Sequence, residues 1–198
     1  MNDPVGSSTG VVLCGGASRR MGTDKATMEV AGRPMALLVA DALRGAGVGR
    51  VVALGEPAPK ELEILPDHHR GGGPLAAIVG ALEQLGDLVV CPCDVPQITS
   101  AGVAAILAGA MSSCAPVVLA RSTRPEPLIG FYRTEALPVL RAAWETGERS
   151  VRGALASLDV DHIGIGAHEV VNVNAPGDLE ALSNSGVAAL PGRTARDR

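Results

Sequence analysis

Residues 13–26 read Leu-Cys-Gly-Gly-Ala-Ser-Arg-Arg-Met-Gly-Thr-Asp-Lys-Ala, and they continue directly from Gly10-Val11-Val12-Leu13. An apolar, β-branched run of that kind forms a short buried strand. At Gly15 and Gly16 the chain loses its side chains, so it can bend sharply and press its backbone against a ligand. Arg19, Arg20 and Lys25 follow within the same stretch. Bare N–H groups leaving a strand bind an anion, and nearby cations finish neutralising it. This is the chemistry of a bound nucleoside triphosphate.

The spacing excludes the two commoner phosphate loops. Thr23 and Asp24 separate Gly22 from Lys25, which breaks G-x-x-x-x-G-K-[ST]. Adjacency of Gly15 and Gly16 breaks G-x-G-x-x-G. The competing structural explanation is a glycine turn flanked by solvated cations.

Downstream, apolar spacing predicts a helix opening at Pro34, with Met35, Leu38, Val39, Ala42 and Ala46 on one face and Gly45 and Gly47 at its end. Strands follow at 50–54 and 62–65. Strand, helix, strand in this order implies a right-handed crossover and a parallel sheet. Gly71-Gly72-Gly73-Pro74 leads into a helix with Leu75, Ile78, Val79 and Leu82 inward, up to Gly86. Free amides at such a helix start favour an anion; a plain entry loop is the alternative.

A strand at 87–90 runs into Cys91-Pro92-Cys93-Asp94-Val95-Pro96, where the two prolines are expected to stop it. A carboxylate at the carboxyl end of a parallel strand lies where open α/β sheets hold ligands, and Mg²⁺ takes one or two such oxygens plus water and phosphate. A turn or capping role for Asp94 is the alternative.

Thr99 or Ser100 caps the next helix, a strand spans 115–120, and a polar surface loop at 121–127 precedes a strand at 128–132. A helix at 134–146 carries Trp144, and Ser150 caps a further one. A last strand at 169–173 places Asn172 and Asn174 on one face by alternation, and Pro176 opens a short helix to about 183.

The chain has 198 residues, 46% hydrophobic but 2% aromatic. Its core is therefore built from Val, Leu, Ile and Ala, as suits a parallel sheet covered on both faces by helices. We expect a three-layer α/β/α, Rossmann-like domain over 10–183, an N-terminal extension at 1–9 and a mobile tail at 184–198. A net charge of −4 argues against nucleic acid or membrane surfaces as partners. The absence of ~20 consecutive apolar residues or a basic-then-apolar leader points to the cytoplasm. Cys14, Cys91, Cys93 and Cys114 lack zinc spacing and are expected to be reduced, Cys91 and Cys93 sharing one strand face as small buried hydrophobes. The four histidines show no ligand spacing and are read as structural.

The first motif is that of nucleotidyltransferases, L-x-G-G-x-S-x-R-M-G-x-D-K. Together with Gly-Gly-Pro-Leu, Cys-Pro-Cys-Asp-Val-Pro and Val171-Asn172-Val173-Asn174-Ala175-Pro176, in this order, the chain resembles the molybdenum cofactor guanylyltransferase family from residue 11 to about 182. The resemblance implies transfer of GMP from Mg·GTP to the phosphate of molybdopterin, releasing pyrophosphate. It implies that Leu13, Cys14, Gly15 and Gly16 line the nucleotide site and that Arg20 and Lys25 hold the triphosphate. By the same resemblance Asp67 contacts the nucleotide, Gly73 and Pro74 lie near its base or sugar, Asp94 binds Mg²⁺, and Asn172 and Asn174 face the pterin. Transient contact with molybdoenzymes or other cofactor-synthesis proteins is a further implication.

Three departures stand out: Cys14 for the usual alanine, Ala77 where Gly-Pro-Leu-Ala-Gly ends in glycine, and Ala53-Leu54-Gly55-Glu56 where the family often has an asparagine. The last leaves the base open. CTP as donor, a sugar phosphate as acceptor, and a non-catalytic nucleotide or cofactor adapter are the rival readings. No general base is expected, because a phosphate monoester with a second pKa near ~6 is already ionised at neutral pH.

Overall fold

The computed structural model describes residues 6–14, 25–69, 71–173 and 178. Its strands are β1 (Thr9–Leu13), the short hairpin strands β2 (Glu29–Val30) and β3 (Arg33–Pro34), β4 (Arg50–Leu54), β5 (Glu63–Leu65), β6 (Leu88–Pro92), β7 (Val117–Arg121), β8 (Pro125–Tyr132) and β9 (Val160–Gly164). All but β2 and β3 form one sheet in the order β5-β4-β1-β6-β8-β7-β9. Neighbours run parallel except at β8, which is antiparallel to both β6 and β7. The expected mostly parallel sheet between helices is therefore the fold.

Alternation along the strands divides the core into two layers, because successive side chains point to opposite faces. Val12, Cys14, Val51, Ala53, Val89, Cys91, Val118 and Phe131 line one face, beneath helices α1 (Met35–Gly45) and α3 (Ser100–Ser112). Val11, Leu13, Val52, Leu54, Val90, Leu119 and Tyr132 line the other. They pack beneath α2 (Gly73–Leu85), α4 (Leu137–Glu145) and the single turn α5 (Val151–Ala154). In α1 the buried face is rotated from expectation: Ala36, Leu37, Ala40 and Leu43 are buried with Met35, Val39 and Ala42, while Leu38 is half-exposed.

The readings of 121–127 and of 169–173 need correction. Residues 169–173 are not a strand; Ala167–Val170 is a 3₁₀ turn, because the Glu169 carboxylate folds back to accept from Gly166 N at 3.1 Å. The edge position belongs instead to β9, whose half-polar sequence Val-Asp-His-Ile-Gly gave no apolar signal. The polar stretch 121–127 is a tight turn rather than a loop: Ser122 N donates to Arg124 O at 3.1 Å, and β8 begins at Pro125. Pro92 does end β6, as its last residue. The expectations for 1–5, for the helix opening at Pro176 and for the tail at 184–198 fall outside the described residues.

Candidate active site

The chain passes from β1 to β4 on one side and reaches β6 on the other, so the carboxyl ends of β1 and β6 flank a topological switch point. Open α/β sheets bind ligands there. Leu13 is in register with Leu54 on one neighbour and Pro92 on the other. Past the strand ends the pairing continues: Cys14 N donates to Leu54 O at 2.9 Å, and Cys93 N donates to Leu13 O at 3.1 Å. Asp94, half-buried, is therefore the next residue after one bonded to the last residue of β1. Two motifs some eighty residues apart in sequence meet at one sheet end.

A third segment joins them through Val173. Its N–H donates to Asp94 O at 2.8 Å, and its fully buried side chain packs with Met28 and Met35. Met28 follows the 3₁₀ turn Lys25–Thr27, and Met35 opens α1. The backbone of Lys25 thus reaches the same end of the sheet as Asp94 and exposed Asn172. Gly15, Gly16, Arg20, Asn174 and the Lys25 side chain lie outside the described residues. Arg33, the next cation along the chain after Lys25, is paired with Asp41 at 2.5 Å on the surface of α1.

Asp67, Gly73 and Pro74 belong to the connection between β5 and α2. Asp67 Oδ1 accepts from His69 N at 2.9 Å, and Gly72 N donates to His69 O at 2.9 Å. Gly73 has φ 79°, the left-handed region where a side chain is strained, so the turn into α2 requires glycine. The His69 ring packs on Trp144 with centroids 4.2 Å apart and lies 3.6 Å from a Glu83 oxygen, which fixes the loop to α2 and α4. The loop leads from the edge strand β5, two strands from β1, into α2, which packs against β1 and β6. A depression lined by Met111, Cys114, Arg133 and Glu135 lies at the opposite end of the sheet, near the start of β7.

Among the described residues no group of three or more His, Cys, Asp or Glu could hold a metal ion. Asp94 offers one hard carboxylate, the kind of donor that a divalent cation takes together with substrate phosphates. Cys14, Cys91 and Cys93 are buried free thiols and Cys114 is exposed. The Cys14 thiol is pushed up, first by its hydrogen bond with Cys93 and then by burial, and burial pushes Cys91 up to about 12. Only thiolates react quickly. Ellman's reagent at neutral pH is therefore expected to titrate Cys114 alone in the native protein and the remaining thiols only in denaturant; rapid reaction of a buried thiol would contradict this packing.

A parallel sheet whose first strand exits beside an acidic turn, at the switch point of its topology, is the architecture of an α/β nucleotidyltransferase. The model of the MobA-like NTP transferase domain matches residues 10–162. A probable molybdenum cofactor guanylyltransferase of Deinococcus radiodurans is 35% identical over 189 residues, covering 92% of this chain and 97% of the relative. The molybdenum cofactor guanylyltransferase of Xanthomonas euvesicatoria is 35% identical over 175 residues, covering 85% and 90%. In fold, the chain is similar to the crystal structure of molybdopterin-guanine dinucleotide biosynthesis protein A from Archaeoglobus fulgidus. There the TM-score is 0.74 at 24% identity, covering 87% of this chain and 95% of that one. The chain belongs to the molybdenum cofactor guanylyltransferase family of MobA-like NTP transferases, and it is a nucleotidyltransferase.

The sequence signalled Asp94 and the glycine turn, but not Val173 or its partners Met28 and Met35. One signal was present: Val173 is the apolar residue between two asparagines, and it is fully buried.

Proposed function

We propose that this enzyme transfers GMP from Mg·GTP to the phosphate of molybdopterin, releasing pyrophosphate and forming the guanine dinucleotide form of the cofactor. The observation that carries the reading is the Leu13–Cys93 hydrogen bond, which sets Asp94 beside the exit into the glycine turn. The relatives' names support guanine as the base and the molybdenum cofactor as the acceptor.

In this reading Leu13, Cys14, Gly15 and Gly16 cradle the nucleotide with their backbone. Arg20 and Lys25 bind the triphosphate with charge-assisted hydrogen bonds, roughly twice as strong as neutral ones. Asp67, Gly73 and Pro74 contact the nucleoside, and Asn172 and Asn174 orient the pterin. Asp94 holds Mg²⁺, which supplies Lewis-acid stabilisation and a template for the phosphates. The chain's task is to bring two anions into line and to hold the departing pyrophosphate. The acceptor oxygen is already ionised, so no side chain needs to remove a proton.

A thermal-shift panel of GTP, CTP, UTP and ATP with Mg²⁺ tests the base. At 100 times its Kd a ligand stabilises by about 2.7 kcal/mol, a shift of roughly 5–11 °C at about 2–4 °C per kcal/mol for this size. GTP is expected to give that shift and CTP a smaller one; equal shifts would remove guanine selectivity. Pyrophosphate release that depends on molybdopterin separates a transferase from a nucleotide-binding adapter.

A further inference from the structure

Glu169 is the one buried carboxylate among the described residues, 7% exposed. A buried charge is costly unless hydrogen bonds replace its water. Here Oε2 accepts from Thr99 N at 3.0 Å and from Thr99 Oγ1 at 2.6 Å, while Oε1 accepts from Gly166 N. Thr99 is the N-cap of α3, and its Oγ1 also accepts from Gly102 N at 3.0 Å. The carboxylate therefore lies at the positive end of a helix, which favours it further. A Cβ on Gly102 would overlap Glu169 Oε2, so the helix leaves out a side chain where the carboxylate docks.

These contacts connect the same two segments that meet at the site. Glu169 binds Thr99, and four residues on, Val173 N binds Asp94 O. The segment 94–99 and the segment 169–173 are thus held together at both ends. Between the two anchors, Val171 and Asn172 are exposed. We infer that Glu169 is a positioning residue that sets Asn172 against Asp94, and so governs acceptor binding without touching either substrate. This rests on the reading of Asn172 as an acceptor contact.

The test measures KM for molybdopterin and for GTP separately by pyrophosphate release, together with hydrogen exchange over 166–173. Glu169→Ala is expected to raise the acceptor KM about tenfold or more, the factor carried by a lost hydrogen bond to a charged group, while the GTP KM moves by less than about twofold. Glu169→Gln keeps the shape and one acceptor oxygen, and is expected to shift the acceptor KM in the same direction by less. Thr99→Ser retains the hydroxyl and should keep wild-type values; Thr99→Val should not. Gly102→Ala, which elsewhere in a helix would stabilise, should behave like Glu169→Ala. Equal changes in both KM values, or none, would overturn the inference. If the wild-type chain transfers no GMP to molybdopterin, the functional reading fails by itself. Exchange then decides the clamp: faster exchange at 166–173 in Glu169→Ala supports it, and unchanged exchange overturns it.

Discussion

Asp94→Ala is expected to lower GMP transfer by about a thousandfold or more, since a bound metal supplies several kcal/mol of transition-state charge stabilisation and each ~1.4 kcal/mol is tenfold in rate. Lys25→Ala should fall to a similar degree, through loss of a cation on the triphosphate. The fold should survive both changes. Asp94 is half-buried and lies past the end of β6, where its backbone carbonyl, which the substitution leaves in place, receives Val173 N. Asp94→Asn is the sharper variant, because it keeps the shape and removes the charge; its residual rate should require much more Mg²⁺. Steady-state rates across a Mg²⁺ titration, with circular dichroism as the control for folding, check the result. Near-normal rates in both Asp94→Ala and Lys25→Ala would place the reaction elsewhere.

Phe131→Ala should have the largest effect on stability. Phe131 is fully buried on β8, with Val89 and Val118 opposite it on the flanking strands and the Arg133 guanidinium 5.3 Å from its ring centre. Arg133 is itself committed to the end of α3, with Nη2 donating to Ala110 O at 2.6 Å and to Ser113 O at 3.1 Å, and Nε donating to Ala115 O. Truncating the ring leaves a cavity between a fixed sheet and a fixed helix end. Such losses cost about 3–5 kcal/mol, against a total of roughly 5–15, and should lower Tm by roughly 6–20 °C at about 2–4 °C per kcal/mol. Met111→Ala, on an exposed side chain of α3, should stay within about 0.5 kcal/mol. Calorimetry of the two variants beside the wild type reads the difference directly.

Elements whose side chains are sorted by local periodicity were legible in advance. The run 50–54, the helix after Pro74 and the caps Thr99 and Ser150 are all where spacing placed them. So were the buried thiols, since Cys91 and Cys93 share a face in any strand. Of the site, the sequence placed the ends of β1 and β6 side by side, and Asp94 does follow the residue bonded to Leu13. What spacing misjudged were segments ruled by distant partners. The half-polar β9 is a strand because β7 offers it an edge, and 169–173 is not one because Glu169 is drawn to the N-terminus of α3.

By itself, then, the sequence determined the class of the protein, because the alternation of apolar residues in strands and their spacing in helices are local properties that fix a mostly parallel layered sheet. Only the tertiary structure decided which segments share a site. The insertion of antiparallel β8 beside β6, the burial of Val173 between Met28 and Met35, and the Glu169–Thr99 contact each join residues far apart in the chain. Their energies come from burial and hydrogen bonds that exist only after the sheet has formed, so no local pattern could carry them.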